Sequence, residues 1–81
     1  EDGVEAFQKG NYEVAFKIFS DLARNSINYK SDIDLYLARS ALETGRFFEA
    51  LIAFERILIE VDERDIETIN LAKFGLANTH V

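Results

Sequence analysis

The chain has 81 residues, 48% of them hydrophobic and 30% charged, and its nine Lys and Arg stand against fifteen Asp and Glu for a net charge of −6. That length allows one small domain; the acidic balance argues against nucleic acid, whose phosphates call for a basic surface; and no apolar run approaches the roughly 18 residues of a membrane span, so no membrane insertion is expected. With no cysteine, disulfides and thiolate metal sites are excluded, and the compartment cannot be read. The chain lacks Met, carries no secretory apolar segment and ends in "LAKFGLANTHV" without a helix-stop signal. A piece of a longer repeat protein is the expectation.

In chain order, a first helix is expected over 2–9, closed by Gly10. After Asn11 as cap, a second runs over 12–25, where Tyr12, Ala15, Phe16, Phe19, Leu22 and Ala23 form one apolar stripe at helical spacing. The loop "NSINYKS" leads to a third over 32–44, with Ser31 as N-cap and Asp34 three residues on, similar to a capping box. Gly45 stops that helix in a left-handed conformation. A fourth, over 47–61, places Phe47, Ala50, Leu51, Phe54, Ile57, Leu58 and Val61 on one stripe. "DERD" precedes a fifth over 65–79, with Asp62 or Asp65 as cap. No stretch sustains an alternation of period two, so the chain reads as all-α.

Two of these stretches spell nearly the same phrase: "GNYEVAFKIF" begins at Gly10 and "GRFFEALIAF" at Gly45. A shift of 35 lays Gly10 on Gly45, Tyr12 on Phe47, Ala15 on Ala50, Phe19 on Phe54 and Leu22 on Ile57, with Gly3, Ala6 and Phe7 over Ala38, Ala41 and Leu42 upstream. A shift of 34 carries Leu35, Leu37, Ala38, Arg39, Ala41 and Leu42 onto Ile69, Leu71, Ala72, Lys73, Gly75 and Leu76. The chain is an internal repeat of helix pairs. Its alanines mark where helices cross at about 8–10 Å, with the aromatics Tyr12, Phe19, Phe47 and Phe54 filling the wedge beyond. Ala50, which recurs as Ala15, is expected at the crossing; Ala53, aligned with Ile18, is expected to tolerate bulk.

Helix-turn-helix units of this length, with large-small pairs in the first helix and Gly-x-aromatic-x-x-Ala-x-x-x-Phe across the turn, resemble tetratricopeptide repeats. The residues that carry the likeness are Gly3, Ala6, Gly10, Tyr12, Ala15 and Phe19, then Leu37, Ala38, Ala41, Gly45, Phe47, Ala50 and Phe54. Departures are the missing early Trp, whose place Asp34 takes in the second unit, and the missing Pro after the second helix. In the third unit either Leu71-Ala72 or Phe74-Gly75 can serve as the large-small pair. The resemblance implies one domain over 1-81, a right-handed α-solenoid of about two and a half units (1-30, 31-64 and a partial 65-81). It further implies a concave groove that binds a peptide or protein segment, with Val4, Phe7, Leu35, Arg39, Leu42, Ile69, Lys73 and Leu76 as its inward column. Where family members clamp the acidic tails of heat-shock chaperones, this chain has Val4, Tyr36, Ile66 and Asn70, so such tails are not expected to bind.

Little in the sequence points to catalysis. His80 is the single histidine, so neither a His-based triad nor a multi-histidine metal site can form. The acids of "EVDERDIE" suit a helix start, and Gly10 and Gly45 are too isolated to cradle a phosphate. The expectation is a scaffold module without enzyme activity, cofactor or metal. The alternative is a structural or oligomerisation element that stacks on further repeats or on another copy through its last helix, where Ile66, Ile69, Leu71, Phe74, Leu76 and Val81 lie on more than one side.

Overall fold

The computed structural model describes residues 2–25 and 27–79, and of Asn78 and Thr79 the backbone alone; His80 and Val81 lie outside the described residues. Among these residues the chain is all-helical: α1 (Gly3–Gln8), α2 (Tyr12–Asn25), α3 (Ser31–Glu43), α4 (Phe47–Glu60) and α5 (Ile66–Thr79). Each boundary lies within one residue of the range expected from the pattern.

The repeat is visible in how the helices end. Gly10 and Gly45 both take positive φ, +83° and +78°. At the first, the N–H groups of Gly10 and Asn11 donate to the carbonyls of Phe7 and Ala6; at the second, those of Gly45 and Arg46 donate to Leu42 and Ala41. This is the same Schellman closure twice, and it demands a residue without Cβ at the left-handed position. Helix starts vary more. The Asp2 carboxylate accepts the Glu5 N–H at 2.7 Å, and the Asp65 carboxylate accepts that of Thr68 at 3.2 Å, which decides between the two candidate caps of α5. The expected Ser31 cap is not made: Ser31 is the first residue of α3, Lys30 precedes it without a side-chain cap, and Asp34 is turned inward to another partner.

Packing follows the repeat. α2 packs across α1 and α3, α4 across α3 and α5, and α1, α3 and α5 also touch in succession. α3 therefore contacts all four other helices. Seven of the eleven buried hydrophobic residues are alanines (Ala6, Ala15, Ala38, Ala41, Ala50, Ala53 and Ala72), so close backbone approach, with Phe19, Leu37, Phe54 and Ile57 in the gaps, makes the core. Ala53 corrects an expectation: it is as buried as Ala50, although Ile18 at the matching place in α2 is only half-buried. Both α2 and α4 lie between two neighbours, but α2 lies against the six-residue α1 where α4 lies against the thirteen-residue α3. Phe47 also departs from the expected wedge, remaining half-exposed.

In the partial third unit, Ala72 and Gly75 are buried, at the places of Ala38 and Ala41. Two rings explain why glycine recurs inside helices here. A Cβ on Gly3 would fall 2.7 Å from the Phe19 ring, and one on Gly75 would strike the Phe54 ring closer still. No described helix is long and apolar enough to cross a membrane.

Candidate binding groove

α3 presents three working faces. Its inward face carries Leu37, Ala38 and Ala41 to the core. The shoulder toward α1 carries Tyr36, which stacks on Phe19 with centroids 5.0 Å apart and meets Phe7 edge-on at 5.5 Å. Phe7 in turn meets Tyr12 edge-on at 5.1 Å. Four rings thus close the space between α1 and α3, in the offset and T-shaped arrangements that ring quadrupoles favour.

The shoulder toward α5 is different. Leu35 and Leu42 of α3 face Leu71, Phe74 and Gly75 of α5 across a groove of about 760 Å³, floored by Phe54. Its α3 wall continues over Asp32, Tyr36, Arg39 and Glu43, four positions spaced four, three and four apart and hence on one stripe of the helix. The Arg39 guanidinium lies 5.1 Å over the Phe7 ring centroid, a cation–π placement that tethers it toward α1. Among the described residues neither Asp32 nor Glu43 is in an ion pair.

Of the inward column expected from the sequence, Leu35, Arg39 and Leu42 line this groove. Phe7 belongs to the aromatic cluster beside it, and Val4, on α1, is at the edge of exposure. Ile69, Lys73 and Leu76 do not line it; α5 contributes Leu71, Phe74 and Gly75 instead. Ile69 and Leu76 are half-buried and Lys73 is exposed. The rotation of α5 is set by how Gly75 settles against the Phe54 ring, a contact the repeat pattern does not encode.

A partly buried ion pair holds the groove's wall to its floor. The Asp34 carboxylate, almost wholly buried, accepts from Nε and Nη2 of Arg56 at 2.7 Å each, joining α3 to α4 in a bidentate fork. Hydrogen bonding to Asp34 raises the Arg56 pKa further, and Tyr29 beside them is pushed well above its ordinary value, first by burial and then by the Asp34 charge. The link is legible only with hindsight, as an acid on the buried face of α3 and an arginine on a mostly apolar helix. At the other end of α4, the Arg46 guanidinium lies 4.4 Å over the Phe16 ring centroid and pairs with Glu13 at 2.8 Å, so α4 also reaches α2. Arg46 and Arg24 border a hollow on α2, and Arg24 too has an internal partner, Asp21.

The chain has no significant match among protein-family models, among curated proteins or among solved structures.

Proposed function

We propose that the chain is a protein-interaction module, a right-handed solenoid of about two and a half tetratricopeptide-like units, that holds a peptide or protein segment in the groove between α3 and α5. The observation that carries this reading is the groove itself. Leu35, Leu42, Phe54, Leu71 and Phe74 give it apolar walls and floor, while Asp32, Arg39 and Glu43 give it a polar rim. That combination suits a segment anchored by an apolar side chain and oriented by a few polar contacts. The repeat supports the solenoid part of the reading, because each unit buries its apolar face on the next. Catalysis, a cofactor, nucleic acid and membrane insertion form no part of it.

The test is selection of binders from a displayed peptide library, followed by amide chemical-shift mapping on the labelled chain. Perturbations are expected over 35–43 and 71–75. Selected peptides whose shifts map instead to the outer face of α2 would overturn the groove assignment.

A second reading has its own observation. Ile66, Leu71 and Phe74 leave α5 with apolar side chains exposed at 65%, 48% and 71%, a patch of the kind that marks a contact surface. In this reading α5 stacks on a further repeat or another copy. Sedimentation with and without Phe74→Glu tests it: concentration-dependent association abolished by the substitution supports stacking, and a wild-type chain monomeric at high micromolar concentration rules out self-stacking.

A further inference from the structure

We infer that the groove's partner is a short extended segment carrying one bulky apolar anchor between two cationic residues; the inference rests on the groove reading and specifies its ligand. The argument begins from charge. Of the three charged residues on the rim, Arg39 is drawn over the Phe7 ring, while Asp32 and Glu43 are in no ion pair among the described residues. They stand at the two ends of the α3 wall. At 1.5 Å per residue their separation of eleven positions is about 16 Å along the helix axis.

An extended peptide advances about 3.3 Å per residue and turns every second side chain to the same face, so cations four positions apart, about 13 Å, share one face and reach both carboxylates through their flexible stems, with an anchor midway between them. Between those ends, Leu35 and Leu42 oppose Leu71 and Phe74 over the Phe54 floor, room for a ring or branched side chain from the middle of the segment. The surrounding charge acts in the same direction, since a net −6 draws a cationic segment in and repels an acidic one. A segment with an acidic end, the ligand type of the chaperone-tail clamp, meets like charge at both ends of this wall.

The experiment uses the 81-residue chain and synthetic five-residue peptides, acetylated and amidated. The lead peptide has Lys at its first and last positions, Phe at its third and Ser elsewhere. Binding is read by fluorescence anisotropy at two salt concentrations and by amide shifts. The lead peptide is expected to bind at the groove, to weaken about two- to five-fold for each Lys replaced by Ser, and to lose at least about ten-fold when Phe becomes Ala. Against the double variant Asp32→Asn with Glu43→Gln, the Lys and Ser peptides should bind alike; both positions are exposed, and circular dichroism confirms that the helices remain. Phe74→Ala should weaken every peptide that carries the Phe anchor.

Equal or tighter binding of the Ser peptide, or of one with Glu in place of Lys, with shifts still on α3 and α5, overturns the cationic rule and leaves the groove reading standing. Binding of no peptide, while the library selection also yields nothing that maps to the groove, overturns both. A groove covered by a second copy, detected as a dimer that Phe74→Ala dissociates and no peptide displaces, overturns the inference in favour of self-stacking.

Discussion

The two junctions that α3 makes with its flanking odd-numbered helices use the same repeat and come out opposite. Toward α1, the Phe19 ring is met by the ring of Tyr36, and Phe7 and Tyr12 complete the filling. Toward α5, the matching ring, Phe54, is met by the bare backbone of Gly75, and the residue aligned with Tyr36 is Asn70, which is exposed. One junction is a closed core and the other an open groove. The repeat thus leaves an open groove where an aromatic position goes unfilled once, without altering its helices.

The comparison is broken most directly at Tyr36. Tyr36→Ala removes the ring shared by Phe7 and Phe19 and is expected to cost about 2–4 kcal/mol, the range for truncating a large core side chain that is not fully buried. Phe74→Ala, on the open side, should stay within about 0.5 kcal/mol of the wild type. Chemical denaturation of both variants checks the pair, and similar losses would mean that the second junction is as closed as the first.

Arg56→Ala comes next, because it leaves the Asp34 carboxylate buried without its fork. The expected loss is at the low end of the roughly 3–5 kcal/mol for breaking a buried pair, since the Arg56 side chain is 42% exposed. It should loosen the groove's wall from its floor and leave the aromatic junction in place, which ring-current shifts of Phe7 and Tyr36 would report. Gly75→Ala should cost about 1–2 kcal/mol, overpacking against Phe54 outweighing the better helix propensity of alanine. Gly3→Ala should cost less, as α1 has six residues and can shift away from Phe19. Thermal melts of the two rank the junctions by their tolerance of a methyl group.

The smallest effect is expected from pH. The Tyr29 pKa is raised in the folded chain from an ordinary value of 10.0, by burial first and the Asp34 charge second. The unfolded phenol therefore ionises first. The stabilisation is fully present below about pH 10 and fades as the pH climbs from there toward the folded value. Tyr29→Phe should flatten that alkaline slope and leave stability at neutral pH little changed; equal slopes in the two proteins would place Tyr29 outside the Asp34–Arg56 cluster.

Much of this was legible in the amino-acid order, for local reasons. Gly10 and Gly45 punctuate the chain because only glycine takes the left-handed closure without strain, and the apolar stripes locate α2 and α4 between them. What escaped the sequence depends on distant partners. Asp34 sits three residues after Ser31, where a capping acid belongs, yet it is bound by Arg56 at a separation of 22 residues, and no local rule weighs that contact. Ala53 aligns with a bulkier residue, but α4 lies against the full-length α3 where α2 lies against the short α1. In the groove, Leu35, Arg39 and Leu42 follow from the face of α3, whereas the choice of Leu71 and Phe74 over Ile69, Lys73 and Leu76 depends on how α5 settles against Phe54.

Because α3 touches every other helix, it is also the element whose opening disrupts the most. Local unfolding of α1 or α5 breaks contacts on one side only, but exposing the α3 amides requires the sheets of contact on both sides to part together. Hydrogen exchange should accordingly be slowest in the middle of α3, near the global unfolding limit, and fastest in α1 and α5. A ligand clasped between α3 and α5 would then slow exchange in α5 selectively, turning the frayed edge of the molecule into part of its cooperative unit.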